Sequence, residues 1–146
     1  MTVATEGNRL SCRPDVLFAY GSLTFPEVLQ VLLGRVPELV TAKASGWRIA
    51  ALRDRPFPVL VPGDGAAEGV LILGLTHDEW RILDAFEAPS YELRELDLDV
   101  GRGWTYIAGA QADAEWGILS LDWTRDSFDL PPYLRRCTEW RQRLTI

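Results

Sequence analysis

Short apolar runs, separated by glycines and prolines, predict alternating strands and helices along this chain. Residues 16–20 are all apolar, which predicts a buried first strand that ends at Gly21. Thr24 and Pro26 then begin a helix, because proline is tolerated in the first turn of a helix. The apolar face of this helix ends at Gly34, a residue type that is common at helix C-caps. The pattern therefore predicts a strand, a tight turn and a helix in that order.

The next part of the chain predicts mostly extended structure. Residues 39–52 have the pattern of a strand or a bent strand, with Gly46 as a candidate bulge. Residues 57–61 contain a proline, which cannot donate to a strand ladder, so they predict an edge strand or an extended loop. Residues 63–65 predict a turn between strands, and residues 68–75 predict another buried strand.

The middle of the chain predicts a short helix followed by a hairpin. Residues 76–79 match a capping box, with threonine and glutamate three positions apart, and the helix that they begin stops near Pro89. Residues 91–100 alternate between polar and apolar positions in their second half, which is typical of a strand. A turn at residues 102–103 then leads into residues 104–110, the predicted hairpin partner.

An amphipathic helix is predicted from Pro131 to about residue 144. The complete pattern contains five or six strands and two or three helices, and only two helices clearly interrupt the strands. This arrangement predicts an α+β fold with a strongly curved sheet or a small barrel. No linker divides the chain, so we expect one domain over residues 1–146, with residues 1–14 as a poorly ordered N-terminal extension.

Composition and charge narrow the chemistry. The chain has 146 residues and a formal net charge of −6, which disfavours nucleic acid or an anionic membrane as its main partner. One histidine, His77, and two cysteines, Cys12 and Cys137, are too few for a Cys/His zinc site and do not suggest a nucleophile paired with histidine. We therefore expect no metal and no cofactor, and a chemistry based on carboxylates, hydroxyls and backbone groups.

The hydropathy of the chain and its cysteine content predict the cellular compartment of the protein. Residues 1–15 are mostly polar and do not have the pattern of a signal peptide. The best apolar run, residues 70–75, is far shorter than the roughly 20 residues that span a bilayer. The two cysteines are distant in sequence and give no disulfide pattern, so we expect a cytoplasmic protein without a membrane partner.

The turn at residues 20–23 is the first candidate for a binding site, and it consists of Tyr20, Gly21, Ser22 and Leu23. A strand ends and a helix begins there, and glycine permits backbone conformations that other residues resist. Such a turn can leave several N–H groups pointing one way, which makes a cradle for a carboxylate or an oxyanion. The alternative is a simple strand-to-helix turn, because glycine is common in turns of every kind.

Glu87 is the candidate for proton transfer. It lies at the predicted C-terminal end of the short helix, where the partial negative charge of the helix end raises the pKa of a carboxyl group. Asp84, three residues earlier, adds like-charge repulsion if it faces the same way, and Phe86, Pro89 and Tyr91 are near enough to add desolvation. All three effects favour a carboxyl that exchanges a proton near neutral pH. The alternative is an ordinary solvated glutamate on the surface.

The last predicted helix carries a basic face made of Arg135, Arg136, Trp140, Arg141 and Arg143. In an acidic chain this face is more typical of a solvated surface, or of an intramolecular partner for carboxylates, than of an RNA site. His77 fits the first turn of its helix better than the role of a base.

Several motifs together resemble one known family. The first is Phe-Ala-Tyr-Gly-Ser-Leu at residues 18–23, and further matches follow in the same order at residues 26–29, 33–37, 46–48, 57–62 and 69–71. The sharpest is Leu-Asp-Ala-Phe-Glu at residues 83–87, with Tyr91 four residues later. These motifs, over about residues 16–110, resemble the gamma-glutamylcyclotransferase-like proteins, in the branch with the plant avirulence-induced proteins.

The resemblance implies a fold and a set of site residues. It implies a small closed sheet with flanking helices and a pocket lined by the opening motif. It puts the acid/base glutamate at Glu87 and the substrate-binding residues at Tyr20, Gly21, Ser22, Leu23 and Tyr91. Two positions depart from the family pattern, since Ala88 stands where glycine is usual and Phe57 where tyrosine often precedes the proline. These departures bear on substrate choice more than on the fold.

The reaction implied by the resemblance is cyclisation of a γ-glutamyl amine or γ-glutamyl amino acid to 5-oxoproline, with release of the amine. The partner is then a small-molecule γ-glutamyl substrate, whose own α-amine attacks its γ-carbonyl while Glu87 transfers the proton. Two alternatives stay open, because a fold does not determine a function. One is a non-catalytic binding or regulatory domain on the same fold, and the other is a different acyl-transfer or amide-cleaving enzyme that uses the same pocket.

Overall fold

A mixed sheet of six strands, flanked by three α-helices, forms the part of the chain that the computed structural model describes, residues 9–109 and 116–146. The strands are β1 (Leu17–Ala19), β2 (Glu38–Leu52), β3 (Val59–Leu73), β4 (Tyr91–Leu98), β5 (Gly101–Ala108) and β6 (Ile118–Asp122). The helices are α1 (Pro26–Leu33), α2 (His77–Phe86) and α3 (Leu130–Arg143). The strand order is β4-β5-β1-β3-β2-β6, and the α+β class is confirmed.

Strand β1 is short and buried on both faces. Leu17 and Ala19 belong to the core cluster that includes side chains of all three helices, whereas Phe18 belongs to a second cluster on the other face of the sheet. The strand is antiparallel to β3 and parallel to β5. Because a strand covered on both faces consists of consecutive apolar residues, the prediction of a buried first strand is confirmed.

Strand β3 contradicts the prediction for residues 57–61. They were expected to form an edge strand or a loop, but Val59 and Leu60 lie in the centre of the sheet. Leu60 pairs with Ile49 of β2 on one side and lies opposite Ile107 of β5 on the other. The prediction is wrong because Pro58 precedes the strand, so its missing N–H does not interrupt the ladder.

The predicted turn at residues 63–65 is also wrong. These residues form a bulge inside β3, opposite Gly46 of β2, because Ser45 pairs with Ala66 and Trp47 pairs with Pro62. Gly46 has a φ of 84°, a left-handed conformation that glycine adopts easily, so the bulge predicted at this residue is confirmed. A bulge bends a strand and increases its twist, which suits a strongly curved sheet.

The remaining elements agree with the pattern except at two places. Helix α2 begins with the predicted capping box, in which Thr76 and Glu79 exchange hydrogen bonds, and α1 ends at Gly34 with a φ of 78°. The hairpin of β4 and β5 is confirmed, but its turn lies at residues 99–100 rather than at residues 102–103. Strand β6 was not predicted and pairs with β2 at the edge of the sheet. Residue 110, the predicted end of the hairpin, lies outside the described residues.

The N-terminal segment contacts the body of the domain. Residues 1–8 lie outside the described part of the chain, but Leu10–Cys12 form a 3-10 helix and the side chain of Arg9 is 7% exposed. Among the residues that the structure describes, no helix is both long enough and apolar enough to cross a membrane.

We predict that Gly69→Ala strongly destabilises the fold, because β1 and β3 approach each other closely at this residue. A Cβ at Gly69 would lie 2.1 Å from the carbonyl oxygen of Ala19, which belongs to the backbone and cannot rotate away. The expected loss is about 3 kcal/mol in the free energy of unfolding, measured by urea denaturation.

The matched control is Gly74→Ala. Gly74 has a φ of 70° and no atom within 4 Å of an added Cβ, so this change introduces backbone strain alone and is expected to cost about 1 kcal/mol. Equal losses in the two variants would contradict the close approach as the reason for glycine at residue 69.

Candidate active site

A cavity of about 390 Å³ opens between the turn after β1, the C-terminal end of α2 and one face of α3. All six site residues proposed from the sequence line it: Tyr20, Gly21, Ser22, Leu23, Glu87 and Tyr91. The two positions that depart from the family pattern, Phe57 and Ala88, line it as well. The structure therefore brings together the two motifs that are far apart in the sequence.

The turn after β1 leaves N–H groups that the turn itself does not use. Its closing hydrogen bonds are donated by the N–H of Thr24 to the Gly21 carbonyl, at 3.0 Å, and by the N–H of Phe25 to the Ser22 carbonyl, at 3.2 Å. The N–H groups of Gly21, Ser22 and Leu23 precede these donors, as at the start of any helical turn. The three residues line the cavity, so their N–H groups are candidates to donate to an anionic group there.

Glycine is needed at residue 21 because of a close approach and not because of a left-handed backbone. Its φ is −122°, but a Cβ would lie 2.9 Å from ring atoms of Pro58. Ser22 is buried beside it, and its hydroxyl accepts a 3.0 Å hydrogen bond from the hydroxyl of Tyr133 in α3. The turn is therefore packed between the start of β3 and the last helix.

Glu87 is the C-cap residue of α2. Its backbone is extended, with φ −79° and ψ 138°, and its N–H donates to the carbonyl of Leu83 at 3.1 Å. The chain leaves the helix there, and the Glu87 side chain lines the cavity while remaining only partly exposed. Of the predicted neighbours, Phe86 also lines the cavity, whereas Pro89 is exposed.

The pKa of Glu87 is raised from 4.5 to about 7. Burial is the largest cause, the positive charge of Arg9 opposes it, and the negative charge of Asp84 adds to it. The predicted direction is confirmed, and so are desolvation and Asp84 as causes. The opposing contribution of Arg9 was not anticipated.

Four tyrosines surround Glu87: Tyr20, Tyr91, Tyr106 and Tyr133. Burial raises the pKa of each phenol, and the negative charge of Glu87 raises each of them further. All four are therefore neutral hydrogen-bond donors at neutral pH. Each hydroxyl is held in place by a hydrogen bond that it donates. Tyr20 donates to the Tyr106 carbonyl at 2.5 Å, and Tyr91 donates to the Pro58 carbonyl at 2.7 Å. Tyr106 donates to the Asp84 carboxylate at 2.7 Å, and Tyr133 donates to the Ser22 hydroxyl at 3.0 Å.

Arg9 holds the turn that carries Glu87. Its guanidinium donates to the backbone carbonyls of Asp84 at 2.8 Å, Glu87 at 3.1 Å, Ala88 at 2.8 Å and Tyr91 at 3.0 Å. Its Nε lies 3.0 Å from a carboxylate oxygen of Asp84. Because the last carbonyls of a helix have no partner within the helix, one buried arginine satisfies polar groups that would otherwise be unpaired.

Arg9 was missed because it lies outside the motifs and far from them in sequence. The only signal for it was indirect: if Asp84 is buried, it needs a cation nearby. Tyr106 and Tyr133 were missed as well, because no motif marks a tyrosine that comes to line a cavity only after folding. Tyr106 donates to Asp84, and the guanidinium of Arg9 lies over its ring, 5.2 Å from the centroid.

Comparison with known proteins agrees with this geometry. The family model described as "Gamma-glutamyl cyclotransferase, AIG2-like" matches residues 17–125. The chain belongs to this family. The match includes the turn at residues 20–23 and Glu87, and it leaves Arg9 and α3 outside. The predicted family is thereby confirmed.

Members of the AIG2-like group are the relatives found by sequence. AIG2-like protein C of Arabidopsis thaliana is 42% identical over 83 residues, which are 56% of this chain and 48% of that protein. AIG2-like protein A of the same plant is 40% identical over 77 residues, 52% of this chain and 47% of that protein. The chain thus spans about half the length of the curated relatives that it matches.

Solved structures show the same fold. The solution structure of an Arabidopsis thaliana protein has a TM-score of 0.64 and 27% identity, and covers 90% of this chain and 91% of that one. A structure described as a gamma-glutamyl cyclotransferase has a TM-score of 0.55 and 14% identity, and covers 84% of this chain and 85% of that one. At that identity the second likeness concerns the fold alone, and it confirms the predicted type of curved, mixed sheet.

We predict that Arg9→Met lowers the free energy of unfolding by about 3–5 kcal/mol, because it leaves the buried Asp84 carboxylate and the end of α2 without their cation. Arg13→Met is the matched control, since Arg13 is exposed four residues later and its loss is expected to change stability by less than about 0.5 kcal/mol. Urea denaturation measures both. Equally small losses would contradict the role assigned to Arg9.

We also predict that Glu87→Gln stabilises the protein at alkaline pH. Because the pKa of Glu87 is higher in the folded protein than the usual 4.5, the folded state binds more protons than the unfolded chain between these two values. This contribution to stability is present at low pH and is lost as pH rises through about 7. Between pH 5 and pH 8, the stability of the variant relative to the natural protein should rise by about 2.5 kcal/mol. A difference that stays constant with pH in denaturation experiments would show that this carboxyl is not desolvated.

Proposed function

We propose that this protein converts a γ-glutamyl amine or a γ-glutamyl amino acid to 5-oxoproline and releases the free amine. One observation carries the proposal: a glutamate whose pKa is raised to about 7 lines the same cavity as the turn at residues 20–23. Membership of the gamma-glutamyl cyclotransferase, AIG2-like family supports it. The pKa of a general acid/base is most effective near the working pH, and Glu87 meets that condition.

In the proposed reaction, the carboxylate of Glu87 removes a proton from the α-ammonium group of the substrate. The resulting amine attacks the γ-carbonyl carbon of the same molecule, so a new C–N bond closes the five-membered ring. Glu87 then gives the proton to the departing nitrogen as its C–N bond breaks, and it takes up the second proton that the ring nitrogen loses as the ring amide forms. That proton passes to the released amine, which leaves as an ammonium ion, and Glu87 is a carboxylate again. Both the nucleophile and the electrophile come from the substrate, so the protein has to supply a folded substrate conformation and a proton carrier.

The turn at residues 20–23 is proposed to bind the negative charge. Gly21, Ser22 and Leu23 line the cavity, and in this proposal their N–H groups hold the α-carboxylate of the substrate or the oxyanion that develops during attack. Donors of this kind act in a site with little water, and the loss of one typically costs about 10²–10³-fold in rate.

The thiol in the cavity does not provide a better nucleophile. Cys137 lines the cavity and is not part of a disulfide, but burial raises its pKa to about 11, so it is a neutral thiol at pH 7. Since the thiolate is the reactive form, this environment disfavours thioester chemistry. Attack by the substrate's own amine is therefore the simpler route.

We predict that Glu87→Gln keeps the fold and abolishes turnover, because the amide cannot accept the proton. The assay incubates the protein with a panel of γ-glutamyl amines and γ-glutamyl amino acids and measures 5-oxoproline. The expected loss is at least about 10²–10⁴-fold. In the natural protein, kcat/KM should rise with pH through about 7, because only the carboxylate form of Glu87 acts as the base.

Glu92→Gln is the control for this experiment, because Glu92 is an exposed glutamate on the neighbouring strand. It should retain full activity. Full activity in a folded Glu87→Gln protein would overturn the mechanism, and the absence of any product from the whole panel would favour a binding or regulatory domain. Free glutamate in place of 5-oxoproline would identify an amide-cleaving enzyme.

A further inference from the structure

Helix α3 presents two arginines to the cavity. The helix residues that line the cavity are Tyr133, Arg136, Cys137, Trp140 and Arg143. Residues three or four positions apart lie on the same face of a helix, and this spacing puts the five residues on a single face of α3. The helix lies beyond residue 125, where the family match ends, so this wall of the cavity belongs to a part of the chain that the family model does not describe.

These two arginines differ from the others on the same helix. Arg141 is used inside the protein, because its guanidinium donates to the carbonyl of Leu32 at 2.8 Å. Arg135 is exposed and does not line the cavity. Arg136 and Arg143 line the cavity, are exposed, and form no ion pair within the described part of the chain. Glu87 is the only acidic residue among those that line the cavity.

The charges in the cavity are arranged by depth. Tyr133 is buried near the first turn of the helix and donates a hydrogen bond to Ser22, and the negative charge of Glu87 raises the pKa of its phenol. The guanidinium of Arg136 lies over the ring of Tyr133, 5.6 Å from its centroid, and is itself exposed. Arg143 is exposed two turns further along the helix. The reacting end is therefore enclosed, and the cationic groups lie where the cavity meets solvent.

Ring closure determines which part of the substrate reaches these arginines. The α-amine and the γ-carbonyl must both lie at Glu87, so the glutamyl part is folded up at the enclosed end. The leaving amine is attached to the γ-carbonyl and has to extend toward the opening. A group on the leaving amine is thus the part of the substrate that meets Arg136 and Arg143.

We propose that Arg136 and Arg143 form a subsite for a carboxylate on the leaving amine, so that the preferred substrates are γ-glutamyl amino acids or peptides rather than γ-glutamyl amines without a carboxylate. This inference rests on the function proposed above. The planar guanidinium matches a carboxylate with two parallel hydrogen bonds, and the same charge repels a cationic amine. Trp140 lies between the two arginines on the helix and offers an apolar surface for the side chain of the leaving amino acid.

Binding without turnover tests the subsite directly. N-Glutaryl-alanine keeps both carboxylates but lacks the α-amine, so it cannot cyclise, and N-glutaryl-ethylamine differs from it only by the carboxylate on the leaving side. Titration calorimetry at low salt should give a roughly tenfold lower Kd for N-glutaryl-alanine. The preference should shrink as salt is added, because these guanidiniums are exposed to solvent.

Three single variants test whether Arg136 and Arg143 cause the preference for N-glutaryl-alanine over N-glutaryl-ethylamine. Arg136→Gln and Arg143→Gln should each reduce it severalfold, without changing the Kd for N-glutaryl-ethylamine. Arg135→Gln is the matched control on the same helix and should keep the full preference. Circular dichroism checks that each variant is folded. Equal affinities for the two compounds in the natural protein, or an equal loss in all three variants, would overturn the subsite.

Turnover separates this inference from the proposed function. The corresponding γ-glutamyl-alanine and γ-glutamyl-ethylamine should differ in kcat/KM by the same roughly tenfold factor, with the larger value for γ-glutamyl-alanine. If 5-oxoproline forms from both with equal kcat/KM, the carboxylate subsite is wrong and the cyclotransferase function stands. If no γ-glutamyl compound of the panel reacts but the binding preference for N-glutaryl-alanine is present, the two arginines bind a carboxylate and the cyclotransferase function is wrong.

Discussion

The guanidinium of Arg9 closes the C-terminal end of α2, and the geometry of the candidate site depends on this contact. It is bound to the Asp84 carboxylate and to four backbone carbonyls around Glu87. A helix end that faces the interior needs such partners, because unpaired carbonyls are costly when they are removed from water. The same group holds the backbone on both sides of Glu87, so the position of this residue depends on a contact from far away in the sequence.

Arg9 also balances the charges around the proposed base. Burial and the neighbouring Asp84 both raise the pKa of Glu87, and the positive charge of Arg9 counteracts them. The outcome is a pKa of about 7 for Glu87, at which neither the acid nor the carboxylate form is excluded at neutral pH. A base that must first accept and then return a proton needs this balance. The surrounding tyrosines stay neutral, because burial and the charge of Glu87 raise the pKa of their phenols, so they do not compete for the proton.

The cavity is formed by residues inside the range that the family model matches and by residues outside it. The part matched by the family model supplies the turn at residues 20–23 and Glu87, which line the end of the cavity where the proposed reaction takes place. Arg9 and α3 lie outside the match, and they supply the positioning of Glu87 and the wall at the opening. In the mechanism and the subsite proposed above, chemistry and selectivity are carried by different segments, so the opening can change in charge while the reacting end stays the same.

The sequence by itself was sufficient where the determinants are local. The apolar run of β1, the capping box at Thr76 and the left-handed Gly34 act through neighbouring residues, and each produces the element that its pattern predicts. Glu87 was also recognisable at the end of its helix, and the direction of its pKa shift followed from its neighbours in sequence.

Only the tertiary structure decided what depends on distant contacts. Residues 57–65 carry proline and glycine, which predict an edge and a turn, but pairing with β2 and β5 on both sides makes residues 59–65 part of a central, bulged strand. The partners of Asp84, the tyrosines around Glu87 and the arginines at the opening come from segments that meet only after folding. Burial is the largest cause of the raised pKa of Glu87, and its extent is a property of that packing, so the neighbours along the chain indicated the direction of the shift but not its size.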